Sequence, residues 1–74
     1  MTFRLLDVVV LDRDLPADGL RRGDLATVVE VHDDLSLELE FITASGKTKA
    51  LVTAFPSEVR PARADDLISV RRTA

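Results

Sequence analysis

The sequence predicts an all-β fold, a small antiparallel barrel, and three observations carry that prediction. The first is the run Leu35-Ser-Leu-Glu-Leu-Glu-Phe-Ile42, which sets Leu35, Leu37, Leu39 and Phe41 on one face and Ser36, Glu38 and Glu40 on the other. Strict period two marks a strand with one buried and one wet side. The second is punctuation, with β-branched and apolar runs separated by segments rich in Asp, Gly and Pro,. The third is length. The chain has 74 residues and no cysteine, enough for one domain that must fold on apolar burial without disulfides.

The elements follow in order. Leu5-Leu-Asp-Val-Val-Val-Leu11 reads as the first strand, ended by a polar stretch from Asp12 to Asp24 that contains Pro16, Gly19 and Gly23. Leu25-Ala-Thr-Val-Val-Glu-Val-His32 is the second strand, with Val29 and Val31 sharing a face, and Asp33-Asp34 makes a tight turn. The alternating run 35–42 is the third. Ala44-Ser-Gly-Lys47 is a turn in which Gly46 offers positive φ,. Lys47 to Ala54 is the fourth strand, Pro56-Ser-Glu58 a single helical turn, and Val59-Arg-Pro61 a short fifth strand. The expected core is Leu6, Val8, Val10, Leu25, Val29, Val31, Leu37, Leu39, Phe41, Leu51 and Val59.

Residues 1–61 thus form the barrel domain, and residues 62–74 a flexible tail, weakly ordered or dependent on a partner. Its one helical candidate is Ala62 to Ser69, where Ala64, Leu67 and Ile68 line one face. Isolated helices shorter than about 12 residues are marginal in water.

Charge is unevenly placed. Residues 1–59 hold six basic and eleven acidic side chains, a net of −5, whereas residues 60–74 hold Arg60, Arg63, Arg71 and Arg72 against Asp65 and Asp66, a net of +2. An acidic body is a poor host for a phosphate backbone, so nucleic acid is an unfavoured partner. It suits a basic protein or peptide better. The N-terminal residues lack the pattern of a signal peptide, and Val8 to Leu11 falls far short of the ~20 apolar residues of a membrane helix,. The expectation is a cytoplasmic protein with no membrane contact.

Catalytic and metal chemistry find little to work with. There is one His and no Cys, Trp or Tyr. His32 beside Asp33 and Asp34 is chemically sufficient for a weak divalent site, yet adjacent turn carboxylates seldom converge on one ion, and an exposed hairpin end is the simpler reading. Asp12, Asp14, Asp18 and Asp24 are spaced faintly like a calcium loop but lack its central glycine and terminal glutamate,. Nothing in the chain sets a nucleophile beside a base. With Phe3, Phe41 and Phe55 as the only aromatics, an aromatic groove for polyproline and a stacking platform for bases are both missing. No enzyme activity, cofactor or metal is expected.

What remains is interaction with another protein or with a second copy. Glu30, Glu38 and Glu40 fall on the outer face of neighbouring strands as an acidic stripe, and Arg21 and Arg22 sit in the charged long loop. These five are the candidate partner-binding residues.

Several blocks, in this order, resemble a family of small bacterial proteins known as domain of unknown function 4926: Leu5-Leu-Asp-Val-Val-Val-Leu11, Gly19-Leu-Arg-Arg-Gly-Asp24, Thr27-Val-Val-Glu-Val31, Ala50-Leu-Val-Thr53 and Val59-Arg-Pro61. The resemblance covers roughly residues 3–61. It implies an SH3-like, partly open five-stranded barrel with a long first loop and a one-turn helix before the last strand. It carries no catalytic residues, and it implies an accessory role, such as the antitoxin or immunity half of a bacterial two-protein system. The segment Gly19 to Val31 is also similar to the KOW-type element of ribosomal and transcription proteins, whose second glycine is replaced here by Ala26. That similarity supplies the alternative, a nucleic-acid or ribosome-associated protein.

Overall fold

The computed structural model describes residues 2–73. Five strands form one antiparallel sheet: β1 (Val8–Leu11), β2 (Leu25–Val31), β3 (Leu37–Ile42), β4 (Thr48–Ala54) and β5 (Val59–Pro61). Their spatial order is β4-β3-β2-β1-β5, so the sheet is open between β4 and β5. Turns of 3₁₀ helix lie at Pro16–Asp18, in the long β1–β2 loop, and at Pro56–Glu58, just before β5. All five expected strands are present, in one open antiparallel sheet.

β3 fixes the inside of the barrel. Leu37, Leu39 and Phe41 are buried and pair with Val31, Val28 and, on the other side, Ala54, Val52 and Ala50. Residues directly opposite one another share a face, so the inward residues of β3 dictate those of its neighbours. Val9 and Leu11 of β1, Ala26 of β2, Val59 of β5, and Phe3 and Leu20 from outside the strands complete the core.

Several expected core residues lie elsewhere, for identifiable reasons. Leu6 is exposed because the chain turns at Leu5-Leu6 before β1 begins: the Asp7 N–H donates to the Arg4 carbonyl (3.1 Å), and the Arg4 N–H donates to the Asp7 carboxylate (2.8 Å). Val8 is exposed because it pairs with Thr27, on the outside. β1 is apolar on both sides, and it is Val9 and Leu11 that face in. Val10 is buried, but it lies outside the core cluster, between Leu25 and Arg60 in the sheet register. Leu51 pairs with Glu40 and is exposed.

In β2 the phase is inverted. Val28 and Glu30 oppose the consecutive residues Leu39 and Glu38, which leaves Val29 as the extra residue of a β-bulge,. Leu25 and Val29 are therefore only half-buried, and Val31 reaches the rim.

Both tight hairpins of the sheet use left-handed backbone. Gly46 (φ +85°) closes the β3–β4 hairpin, as its sequence position suggests. In the β2–β3 hairpin the left-handed residue is Leu35 (φ +70°). Asp34 compensates by accepting hydrogen bonds from the Ser36 N–H (3.0 Å) and Oγ (2.6 Å), and the Leu35 N–H donates to the His32 carbonyl (2.9 Å).

The long loop is held at both ends. The Leu15 N–H and Leu20 N–H each donate across to the other's carbonyl (3.0 and 3.1 Å), which buries Leu20. Glu58 ties the loop to the second 3₁₀ turn, since its carboxylate accepts from the Phe55 N–H (2.9 Å) and from Arg13 (3.0 Å).

Among the described tail residues there is no helix. After β5 the chain turns at residues 63–66, where Arg60 donates to both oxygens of Asp66 at 2.9 Å. Farther on, Arg71 donates to Asp24 (3.1 Å from its Nε) and to the Gly19 carbonyl (3.0 Å). The segment between these ties runs outside the sheet with Leu67, Ile68 and Val70 exposed.

Leu39 has no solvent exposure. Leu39→Ala is expected to cost about 2–5 kcal/mol, which in a domain this small lowers Tm by at least about 8 °C; an unchanged melting curve would contradict the assigned core. Leu35→Asn removes a branched side chain from left-handed backbone and is expected to stabilise the fold by up to about 1 kcal/mol. Chemical denaturation of the two proteins side by side measures it.

Candidate interaction surface

The outward residues of the sheet fall into cross-strand rows. Val8, Thr27, Glu40 and Leu51 form one row across β1, β2, β3 and β4. Glu30, Glu38 and Thr53 form the next, across β2, β3 and β4. The three predicted glutamates therefore do share one face, and two of them sit directly opposite each other.

Like charges opposed across a ladder repel, and the structure relieves this in a specific way. His32 follows Glu30 by two residues, and its imidazole lies between the two carboxylates. Its Nδ1 is 3.1 Å from Glu30 and its Nε2 is 3.2 Å from Glu38. Thr53 Oγ1 also donates to Glu38 (3.0 Å), and Thr48 Oγ1 donates to Glu40 (2.6 Å). The contact with Glu38, reinforced by the negative fields of Glu30 and Asp34, raises the His32 pKa above its ordinary value. The partners of His32 are thus the sheet glutamates and not Asp33 and Asp34. Among the described residues no group of His, Asp and Glu is arranged to hold a metal ion.

Sequence reasoning missed this bridge. The signal was present, since residues two apart on a strand share a face, but the third member, Glu38, enters only through the β2–β3 register.

Arg21 and Arg22 lie elsewhere. They precede β2, while Glu30 lies near its far end, roughly 20 Å away at about 3.3 Å per residue. Both lie in the long loop, where the Arg22 side chain and both backbone N–H groups find partners. The Arg22 guanidinium pairs with Asp12 (3.1 Å) and its N–H donates to Asp14 (2.8 Å), while the Arg21 N–H donates to Asp24 (2.8 Å). Partial burial opposes ionisation of Asp24, but the bonds from Arg71 and from the Arg21 backbone outweigh it and hold the carboxyl below its usual range. Among the described residues neither arginine forms an ion pair with Glu30, Glu38 or Glu40.

The outer face also carries apolar side chains that sequence reasoning did not assign to it. Leu51 and Ile42 are each 60% exposed, and Val8 is exposed at the other end of the Glu40 row. The surface is therefore acidic along one row and substantially apolar beside it. Two open hollows, of about 330 and 340 Å³, lie at Phe3 between the N-terminal segment and β5; Asp7, Arg60 and Arg63 are the titratable residues lining them. Among the described residues no helix is long and apolar enough to cross a membrane.

On the described face, the pH response is fixed in sign. The folded-state pKa of His32 is raised above 6.5, so its protonated bridge contributes stability in full below about pH 6.5 and loses it as pH climbs through the folded value. Tm is expected to fall through that window in the wild type and to stay flatter in His32→Gln. An NMR titration of the ring should show a midpoint above 6.5 that moves back in Glu38→Gln; a folded-state midpoint at or below the ordinary value would contradict the bridge.

The family described as Domain of unknown function (DUF4926) matches residues 5–61, a span that holds all five strands. Neither the curated proteins nor the solved structures yield a match.

Proposed function

The chain belongs to the DUF4926 family, a domain of unknown function, and we propose that it is a non-enzymatic interaction module that binds a basic protein partner through the outer face of its sheet. The observation that carries this reading is the outward Glu30–Glu38 row, with Glu30 exposed and Glu38 half-exposed, flanked by Glu40, Leu51, Ile42 and Val8. Apolar side chains beside carboxylates offer contact area and charge selection together. His32 holds the two glutamates in one geometry, which lowers the cost of ordering them on binding.

A role as the accessory half of a two-protein system, antitoxin or immunity protein, fits a small acidic module of this kind, and it rests on family analogy and not on the site. The two open hollows at Phe3 offer shape but no nucleophile–base pair,. The interior of the cell is the expected compartment.

Co-expression with the product of the neighbouring gene tests the reading. The two proteins are expected to co-purify, and Glu30→Lys with Glu38→Lys is expected to weaken the complex at least tenfold while circular dichroism stays that of the folded sheet. Fluorescence anisotropy with RNA and duplex DNA at low salt is the counter-test. Salt-dependent nucleic-acid binding with no protein complex would overturn the proposal in favour of a nucleic-acid role.

A further inference from the structure

One outward residue of the sheet is hidden. Val9 and Leu11 of β1 face the core, so Val8 and Val10 face out. Val8 is 49% exposed, and Ile42 and Leu51 on the same face are each 60% exposed, yet Val10 is only 6% exposed. No other outward residue of the five strands is buried. The outer face of a sheet is wet unless another segment lies on it.

The C-terminal strap is placed to be that segment. Val10 stands in register between Arg60 of β5 and Leu25 of β2, and the strap is tied on both sides of it. Arg60 donates to both oxygens of Asp66 at 2.9 Å. Arg71 donates to the carboxylate of Asp24, the residue before Leu25. Two strand spacings, about 10 Å, separate Arg60 from Leu25. The five residue steps from Asp66 to Arg71 reach up to about 17 Å, enough to cross over Val10 between the ties. Leu67, Ile68 and Val70 stay exposed along the way, so the strap is held by charge rather than by apolar burial.

We propose that this strap is an internal competitor for the outer face: it covers the Val10–Leu25 end, and a basic protein partner takes that end by displacing it. The competition rests on the partner reading above; the cover does not. Residues 60–74 carry a net of +2 and residues 1–59 a net of −5, so the strap is itself a basic segment on an acidic body. Arg71 fills the Asp24 carboxylate that a partner's cation would otherwise meet. Continued by two residues, the β2–β3 register sets Leu25 opposite Ile42. Displacing the strap therefore adds Leu25 and Val10 to the apolar surface of Ile42, Leu51 and Val8.

The test uses the full chain carrying Asp66→Asn and Arg71→Gln together, which cuts both ties and leaves the net charge unchanged. Methyl NMR with a soluble, neutral gadolinium chelate reads the cover. Relaxation enhancement at the Val10 methyls is expected to rise at least about twofold, toward that of Val8, while Val9 and Leu39 stay shielded. Val10 methyls as shielded as in the wild type would overturn the proposal at its first step. If the double variant fails to fold, Arg71→Gln alone carries this readout. Fluorescence anisotropy with labelled hexa-arginine at low salt reads the competition. The double variant is expected to bind at least about threefold tighter than the wild type, because a released strap no longer lowers the competent fraction. Equal affinities would overturn the competition and leave the partner reading standing. Hexa-arginine that binds neither protein would overturn the competition together with the acidic face as a site for a basic partner.

Discussion

The structure depends on the alternation of β3. Leu37, Leu39 and Phe41 are buried on one side, and Glu38 and Glu40 are half-exposed on the other. Because a one-residue slip would send every one of these side chains to the wrong face, β3 has a single workable phase. β2 and β4 pair with it on either side and inherit that phase. The core and the acidic face are thus two consequences of one constraint. The same two-residue repeat that hides the leucines lines up the glutamates.

This explains which parts of the fold were legible in the sequence. Strand existence was legible throughout, because Asp-, Gly- and Pro-rich segments separate the apolar runs. Strand phase was legible only in β3, where polar and apolar residues alternate. β1 offers Val8-Val9-Val10-Leu11 to either face, so the choice of Val9 and Leu11 falls to pairing with Ala26 and Val59. β2 reads equally well in two phases, and the bulge at Val29 shifts from one to the other midway. Leu20 and Phe3 are buried from outside any strand, and no periodic pattern reports them. What sequence reasoning could not supply was long-range pairing, the term that decides between two locally acceptable answers.

The candidate site divides along the same line. Glu30, Glu38 and Glu40 were legible as a set because two of them lie on the alternating strand. Arg21 and Arg22 were named as part of the charged long loop; in the structure Arg22 meets Asp12 and Asp14 there, and the Arg21 backbone N–H donates to Asp24. His32 looked like the companion of its sequence neighbours Asp33 and Asp34, whereas the hairpin uses Asp34 to cap Ser36. Proximity in sequence is a poor guide to charge partners where strands bring distant carboxylates within 3.2 Å.

The tail described above is tied at two places and packed at neither. Arg60 draws the Asp66 carboxyl down to about 2, and Arg71 meets Asp24 and Gly19 at the other end, while Leu67, Ile68 and Val70 between them bury almost nothing. Exposed ion pairs weaken within a Debye length that shrinks to about 8 Å at physiological ionic strength, whereas apolar burial does not. The molecule consequently has two regions with different solvent sensitivities. As salt rises the apolar core keeps its strength, whereas the two ion-pair ties of the C-terminal strap weaken.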